Sequence, residues 1–289
     1  MRQLYYSIAA KISWSWLNTW ACDDIWILSC KRYYGCKLLI DLSSKTAVIT
    51  GAGQGVGLGI ATAMAKKGAK VAMLGRTFSK VKNESSKLNE AGFVTLALEC
   101  DVKDLNSISH AQVEIKNNFG SVNVLINNAQ EVPLGSILDV TDEAINAGWE
   151  SGPLATFRIM KLFYEDLKGD GAIINLASSS ALRPDSSGYG AYAAVKEAIR
   201  SLTRAAAVEW GKDNIRVNTI MPLANSVGMQ WWVDERPEEA NEFIETIPLK
   251  RIGDCENDIG ESVCQLVSDG MNYITGSTIM LDGGQAYLR

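Results

Sequence analysis

The chain has 289 residues, 47% apolar and 21% charged, with a formal net charge of −5. That is enough apolar material for a substantial core, in one large domain or two small ones. The mild acidity gives no electrostatic footprint for nucleic acid and no basic patch for an anionic lipid surface. The six cysteines (Cys22, Cys30, Cys36, Cys100, Cys255, Cys264) form no C-x-x-C pair and His110 is the only histidine, so no metal site is expected and a reduced, cytoplasmic protein fits best.

Residues 1–40 differ from the rest, with four of the eight tryptophans (Trp14, Trp16, Trp20, Trp26), three of the six cysteines and no clear period. Their longest apolar run, residues 25–28, is far too short to span a membrane, and no apolar core with a small-residue cleavage site marks a secretory signal. An atypical, poorly packed N-terminal extension is expected there, with function carried by residues 41–289. From Asp41 onward strands and helices alternate. Lys45–Thr50 reads as a buried strand, followed by a glycine-rich turn and a helix over Val56–Lys67 that ends at Gly68, a left-handed cap. Lys70–Leu74 is the second strand and Ser79–Ala91 a polar helix. Phe93–Leu98, Val122–Asn127, Ala172–Ala177 and Ile215–Met221 are further apolar runs of strand length. Helical stretches at Leu105–Asn118, Thr141–Leu167 and Tyr189–Trp210 separate them. A helix around Asp258–Ser268 precedes a last strand at Ser277–Leu281. Pro153, inside the predicted helix 141–167, cannot donate a helical hydrogen bond and is expected to kink it, freeing the carbonyl of Trp149.

Strands that are apolar throughout and alternate with helices imply a parallel sheet covered on both faces. No linker or internal repeat interrupts residues 41–289. The expected fold is a single α/β domain: a Rossmann-type doubly wound parallel sheet in three α/β/α layers, with ligands over the carboxyl ends of its strands.

Two short strings carry chemistry. Thr50-Gly51-Ala52-Gly53-Gln54-Gly55-Val56-Gly57 follows the first strand and opens the first helix. A phosphate-binding turn must reverse tightly, let backbone N–H groups approach phosphate oxygens and present the positive end of a helix dipole. Gly51, Gly55 and Gly57 meet those needs, at a spacing that differs from G-x-G-x-x-G. Tyr192 and Lys196, in Tyr192-Ala-Ala-Val-Lys196, lie one helical turn apart on one face. A free phenol, with pKa near ~10, is a reluctant acid at neutral pH, and an adjacent ammonium is expected to lower that value. Either string alone also reads as an ordinary turn or a surface Tyr/Lys pair. Together they propose a nicotinamide-dependent oxidoreductase with a tyrosine acid/base.

T-G-x-x-x-G-x-G, then Asn127-Asn128-Ala129, then a serine, then Y-x-x-x-K, resembles the short-chain dehydrogenase/reductase family over about residues 41–289, to the Leu281-Asp282-Gly283-Gly284 ending. The resemblance implies a dimer or tetramer, here a homotetramer, that binds NAD(H) or NADP(H) and interconverts a small-molecule carbonyl and a secondary alcohol. It makes Tyr192 the acid/base and has Lys196 also bond the nicotinamide ribose. Around the dinucleotide it places the glycine turn, including Gln54 and Val56, and it puts Asp101-Val102 at the adenine, Asn128 and Ala129 beside the cofactor and Pro222 at the nicotinamide wall. The second strand ends at Gly75, with Arg76 next, where NAD-preferring sites carry a carboxylate. An arginine there forks onto a 2′-phosphate, so NADP(H) is favoured and NAD(H) stays open. Gln54 counts the other way, since that position is often basic in NADP-binding relatives.

For the hydroxyl that polarises the carbonyl, counting from Asn175 selects Ser178 and counting back from Tyr192 selects Ser179. Ser178 is preferred because the loop Arg183–Gly188 can absorb one residue. Three positions depart from the family's pattern: Gln130 replaces a glycine, Gly152 followed by Pro153 replaces a helix asparagine, and Leu223 replaces a glycine after Pro222. If Gln130 had positive φ it would be strained, and a different loop path is the expectation. An enzyme with a modified relay to Lys196 therefore competes with a dinucleotide-binding protein of weak turnover. Met229, Trp231, Trp232 and Phe243 form either an apolar lid or the packing of a small helical subdomain. The helices 141–167 and 189–210 have small or apolar faces that suit interfaces.

Overall fold

The structure, a computed structural model, describes residues 40–182 and 188–286. The expected extension lies outside the described residues except for Ile40, which packs against the core. Residues 183–187 of the loop before Tyr192 also lie outside them.

Seven strands form one sheet: β1 (Thr46–Thr50), β2 (Lys70–Gly75), β3 (Thr95–Glu99), β4 (Val124–Asn127), β5 (Gly171–Leu176), β6 (Ile215–Pro222) and β7 (Thr278–Leu281). Their order is β3-β2-β1-β4-β5-β6-β7, and every pairing is parallel. Side chains alternate across a strand, so a sheet covered on both faces needs apolar residues at every position. Along β1, Ala47 and Ile49 enter one core while Val48 enters the other. The first core is closed by α1 (Gly55–Lys66), α2 (Phe78–Glu90) and α9 (Glu261–Val267). The second is closed by α3 (Leu105–Phe119), α5 (Ala155–Leu167) and α6 (Gly190–Trp210). The single doubly wound domain expected from the alternation is what forms.

Chain order runs outward from β1 to β3 and then returns to β4 on the other side of β1. That reversal opens a crevice at the carboxyl ends of β1 and β4. The glycine turn after β1 and the Asn128-Ala129 loop after β4 emerge there.

One local feature differs from expectation. The predicted single helix 141–167 is α4 (Asp142–Trp149), a π-helical turn (Glu150–Leu154) and α5. Pro153 is absorbed by widening this turn, with the backbone staying right-handed helical at Trp149, Glu150 and Leu154. The carbonyls that side chains take up here are those of Ala147, from Ser151 Oγ at 2.7 Å, and Gly148, from Gln130 Nε2 at 2.8 Å. Residues 222–247 contribute two helices, α7 (Val227–Glu235) and α8 (Pro237–Thr246). Trp232 packs edge-on against Phe243 at 5.5 Å between them, while Trp231 is 60% exposed.

Candidate active site

Thr50 ends β1 fully buried, and its side chain joins the two motif loops. Its Oγ1 accepts from the N–H of Asn128 at 2.9 Å and of Ala129 at 3.0 Å. In return, Asn128 Nδ2 donates to the carbonyls of Thr50 at 2.9 Å and Gly51 at 3.1 Å. The glycine turn is thereby fixed to the end of β4. Gly51 (φ +67°) and Gly55 (φ +55°) adopt backbone that L side chains rarely take. A Cβ at Gly57 would lie 2.3 Å from the carbonyl oxygen of Gly51. The turn therefore excludes side chains at Gly51, Gly55 and Gly57.

Helix α1 starts from this turn with no capping side chain and no acidic residue in its first turn. Gln54, at the cap position, instead accepts from Lys80 Nζ at 3.1 Å. Uncapped N–H groups at a helix N-terminus, beside a turn that needs glycine at positions 51, 55 and 57, fit a pyrophosphate. Asp101 follows β3, its Oδ1 accepting from the Lys103 N–H at 3.0 Å, and Val102 beside it is buried. Pro222 ends β6 opposite Leu281. Leu223 lines a cavity of about 380 Å³ together with Leu249, Ile259 and Met280, a lining that does not include Ser178, Tyr192 or Lys196.

Those three residues converge from separate elements. Ser178 stands just past β5, its Oγ accepting from the Ser180 N–H at 3.2 Å and donating to Ser180 Oγ at 3.2 Å, and its hydroxyl favours ionisation of the Tyr192 phenol. Lys196 is 3% exposed, donates from Nζ to the Leu176 carbonyl at 2.7 Å, and stands 5.5 Å from the centroid of the Tyr192 ring. Burial pushes the Tyr192 phenol up to about 12, the Ser178 hydroxyl opposing it and Tyr189 adding to it. Burial alone brings the Lys196 ammonium down to about 7. One-turn spacing predicts that Lys196 lowers Tyr192; in the protein alone, desolvation of each group dominates its shift.

Gln130 lies outside the left-handed region, so it carries none of the strain that a positive φ would bring. Its side chain turns inward, where Nε2 donates to the carbonyls of Glu131 and Gly148, both at 2.8 Å. Its Oε1 is buried without a protein partner. A Cβ on Gly152 would meet that oxygen at 2.4 Å and Val195 Cγ1 at 2.9 Å. Arg76, just past β2, is paired with Glu131 Oε1 at 2.6 Å.

A family model described as Enoyl-(Acyl carrier protein) reductase matches residues 51–286. A 12alpha-hydroxysteroid dehydrogenase from a Clostridium species is 39% identical over 249 residues, which is 83% of this chain and 96% of that protein. The chain belongs to the short-chain dehydrogenase/reductase family. A solved putative short-chain alcohol dehydrogenase from Sinorhizobium meliloti is 31% identical, covering 86% of this chain and 98% of its own, with a TM-score of 0.79. A blue fluorescent protein from a metagenomic library, solved in complex with NADPH, is 27% identical, with coverages of 86% and 100% and a TM-score of 0.79. As a short-chain dehydrogenase/reductase the chain is an NAD(P)-dependent oxidoreductase of carbonyl/alcohol chemistry.

Within this family frame, the structure brings the glycine turn, Asn128, Ala129, Ser178, Tyr192 and Lys196 to the same strand ends. Sequence reasoning missed Thr50 Oγ1 as the joint of the two loops, and Glu131 and Lys103 as partners around Arg76. Thr50 was within sight as the first residue of the glycine motif. For Glu131 no local signal exists, because its partners are 55 and 28 positions away.

Proposed function

We propose that this short-chain dehydrogenase/reductase interconverts a carbonyl and a secondary alcohol on a small molecule, with Ser178, Tyr192 and Lys196 as its catalytic residues and NADP(H) as its favoured cofactor. The bound nicotinamide supplies or accepts the hydride. Tyr192 donates the proton to the nascent alkoxide, or takes it from the alcohol. Ser178, whose hydroxyl acts on the Tyr192 phenol, holds the substrate oxygen beside it. Lys196, fixed by the Leu176 carbonyl, keeps a titratable ammonium under the ring. Burial holds its ammonium well below the ordinary lysine range.

The observation that carries this reading is the convergence of Ser178 and Lys196 on Tyr192 beside the crevice. It favours the enzyme over the dinucleotide-binding protein of weak turnover. Cofactor oxidation by the purified protein across a panel of ketones tests it; binding without turnover on every ketone would select the other reading.

Arg76 beyond β2 supports NADP(H), as does the NADPH bound to one structural relative. Exposed apolar residues on the loop after β4, Ile137 and Leu138 (96%), sit near the start of α6, which carries Tyr192, and suit a substrate with an apolar body. A homotetramer is proposed because Trp149, Phe157 and Val208 (85%) are exposed on α4, α5 and α6; light scattering in solution tests it. Cytoplasmic placement rests on Cys100, Cys255 and Cys264 being unpaired. Among the described residues, no helix is long and apolar enough to cross a membrane.

A further inference from the structure

Glu131 leaves the end of β4 on a backbone held from two sides. Its N–H donates to Ser151 Oγ at 2.9 Å and its carbonyl accepts from Gln130 Nε2 at 2.8 Å. From that anchor a single carboxylate oxygen, Oε1, takes Arg76 Nη1 at 2.6 Å and Lys103 Nζ at 3.0 Å. The cations come from the opposite side of β1. Arg76 follows β2 and Lys103 follows β3, whereas Glu131 follows β4. The two ion pairs therefore reach across the strand ends where the glycine turn emerges.

Lys103 and, less strongly, Arg76 hold the Glu131 carboxyl below the usual carboxylate range, so it is ionised at neutral pH. The Lys103 side chain is 27% exposed and that of Arg76 64% exposed, and the Lys103 carbonyl accepts from Arg158 Nη1 at 3.0 Å, which fixes the loop that carries it. An anion shared by an arginine and a lysine is also the arrangement that a phosphate monoester takes up.

We propose that Glu131 is a specificity-determining residue, whose carboxylate occupies Arg76 and Lys103 as an internal stand-in for the cofactor's 2′-phosphate. This rests on the NADP(H) reading above. The 2′-phosphate has to displace Glu131, whereas NAD(H) carries no group that competes for those cations. Glu131 thus weakens NADP(H) binding selectively and narrows the gap between the two cofactors.

Nicotinamide fluorescence of NADPH and NADH, titrated separately into the full chain, tests this as binding rather than activity. Glu131→Gln should tighten NADPH by about five- to tenfold, the scale of one unit charge a few ångströms away in a largely solvated site. NADH affinity should change less than about twofold, and the NADPH gain should shrink at high salt. Glu131→Ala should behave the same way, which guards against a local defect of the glutamine variant. Arg76→Leu separates the two readings. If it abolishes the NADPH preference while both Glu131 variants leave the NADPH/NADH ratio unchanged, the Glu131 proposal falls and the cofactor reading stands. If Arg76→Leu leaves the ratio unchanged, the cofactor reading falls and takes the proposal with it. Equal shifts for both cofactors in the Glu131 variants also overturn the proposal.

Discussion

Gln130 fills the space that a side chain on Gly152 would need. A Cβ there would lie 2.4 Å from Gln130 Oε1 and 2.8 Å from its Nε2. Two departures from the family's pattern, glutamine for glycine after Asn127-Asn128-Ala129 and glycine for asparagine before α5, are therefore one coupled exchange. The buried, unpartnered Oε1 keeps a polar acceptor at that place.

This coupling predicts how variants combine. Gly152→Ala should destabilise the fold by about 1–3 kcal/mol, the usual cost of overpacking. In a Gln130→Gly background the same substitution should cost less, the remaining cost coming from Val195 Cγ1 at 2.9 Å. Denaturant unfolding of the two single variants and the double variant gives the interaction energy directly. Additive losses would show that the two positions do not share the space.

The serine choice is equally direct. Ser178 is the serine whose hydroxyl favours the Tyr192 phenolate, and Ser179 makes no such contribution. Ser178→Ala should lower kcat by about 10²-fold or more, as expected for loss of a donor to the developing alkoxide. Ser179→Ala should stay within a few-fold of the parent. Steady-state kinetics on one accepted ketone decides, and the reverse ranking would move the role to Ser179.

Lys196 makes a pH prediction. Its value falls from 10.5 in the unfolded chain to about 7 in the fold, so between those values the unfolded chain binds more protons. Stability then rises with pH over that window. Cys100, Cys255 and Cys264, raised by burial from 9.0 to about 11, 11 and 12, oppose this slope above pH 9. Thermal unfolding between pH 7 and 9 should therefore show a rising Tm, and Lys196→Met should flatten that rise. Parallel slopes in the two proteins would mean that Lys196 does not titrate in this range.

The two tryptophans of α7 divide the lid and packing roles. Trp232 contacts Phe243, so Trp232→Ala should loosen the α7–α8 pair and lower Tm. Trp231 is exposed, so any fluorescence change on adding substrate to the cofactor complex should disappear in Trp231→Phe. A change that persists in that variant would place the reporter elsewhere.

The sheet was legible because both of its faces are buried, which forces apolar strands that periodicity detects. The glycine turn and Tyr192/Lys196 were legible because tight backbone approach and one-turn helix spacing are local constraints. What was not legible depends on distant partners. Gln130 and Gly152 each stood out as departures, yet their shared space appears only when β4 and the π-helical turn are packed together. Pro153 announced a cost to its helix, but a widened turn and a kink satisfy the same constraint, and sequence does not separate them. Spacing also missed the sign of the Tyr192 shift, because it reports how close two charges are and not how far both are removed from water.

The central claim, that Tyr192 moves the proton in a carbonyl/alcohol reaction, is tested most directly by Tyr192→Phe assayed beside the parent with NADPH and a ketone panel. Loss of turnover by about 10²- to 10⁴-fold on the best ketone, with NADPH binding unchanged, is the predicted result. Turnover that survives the substitution would contradict it.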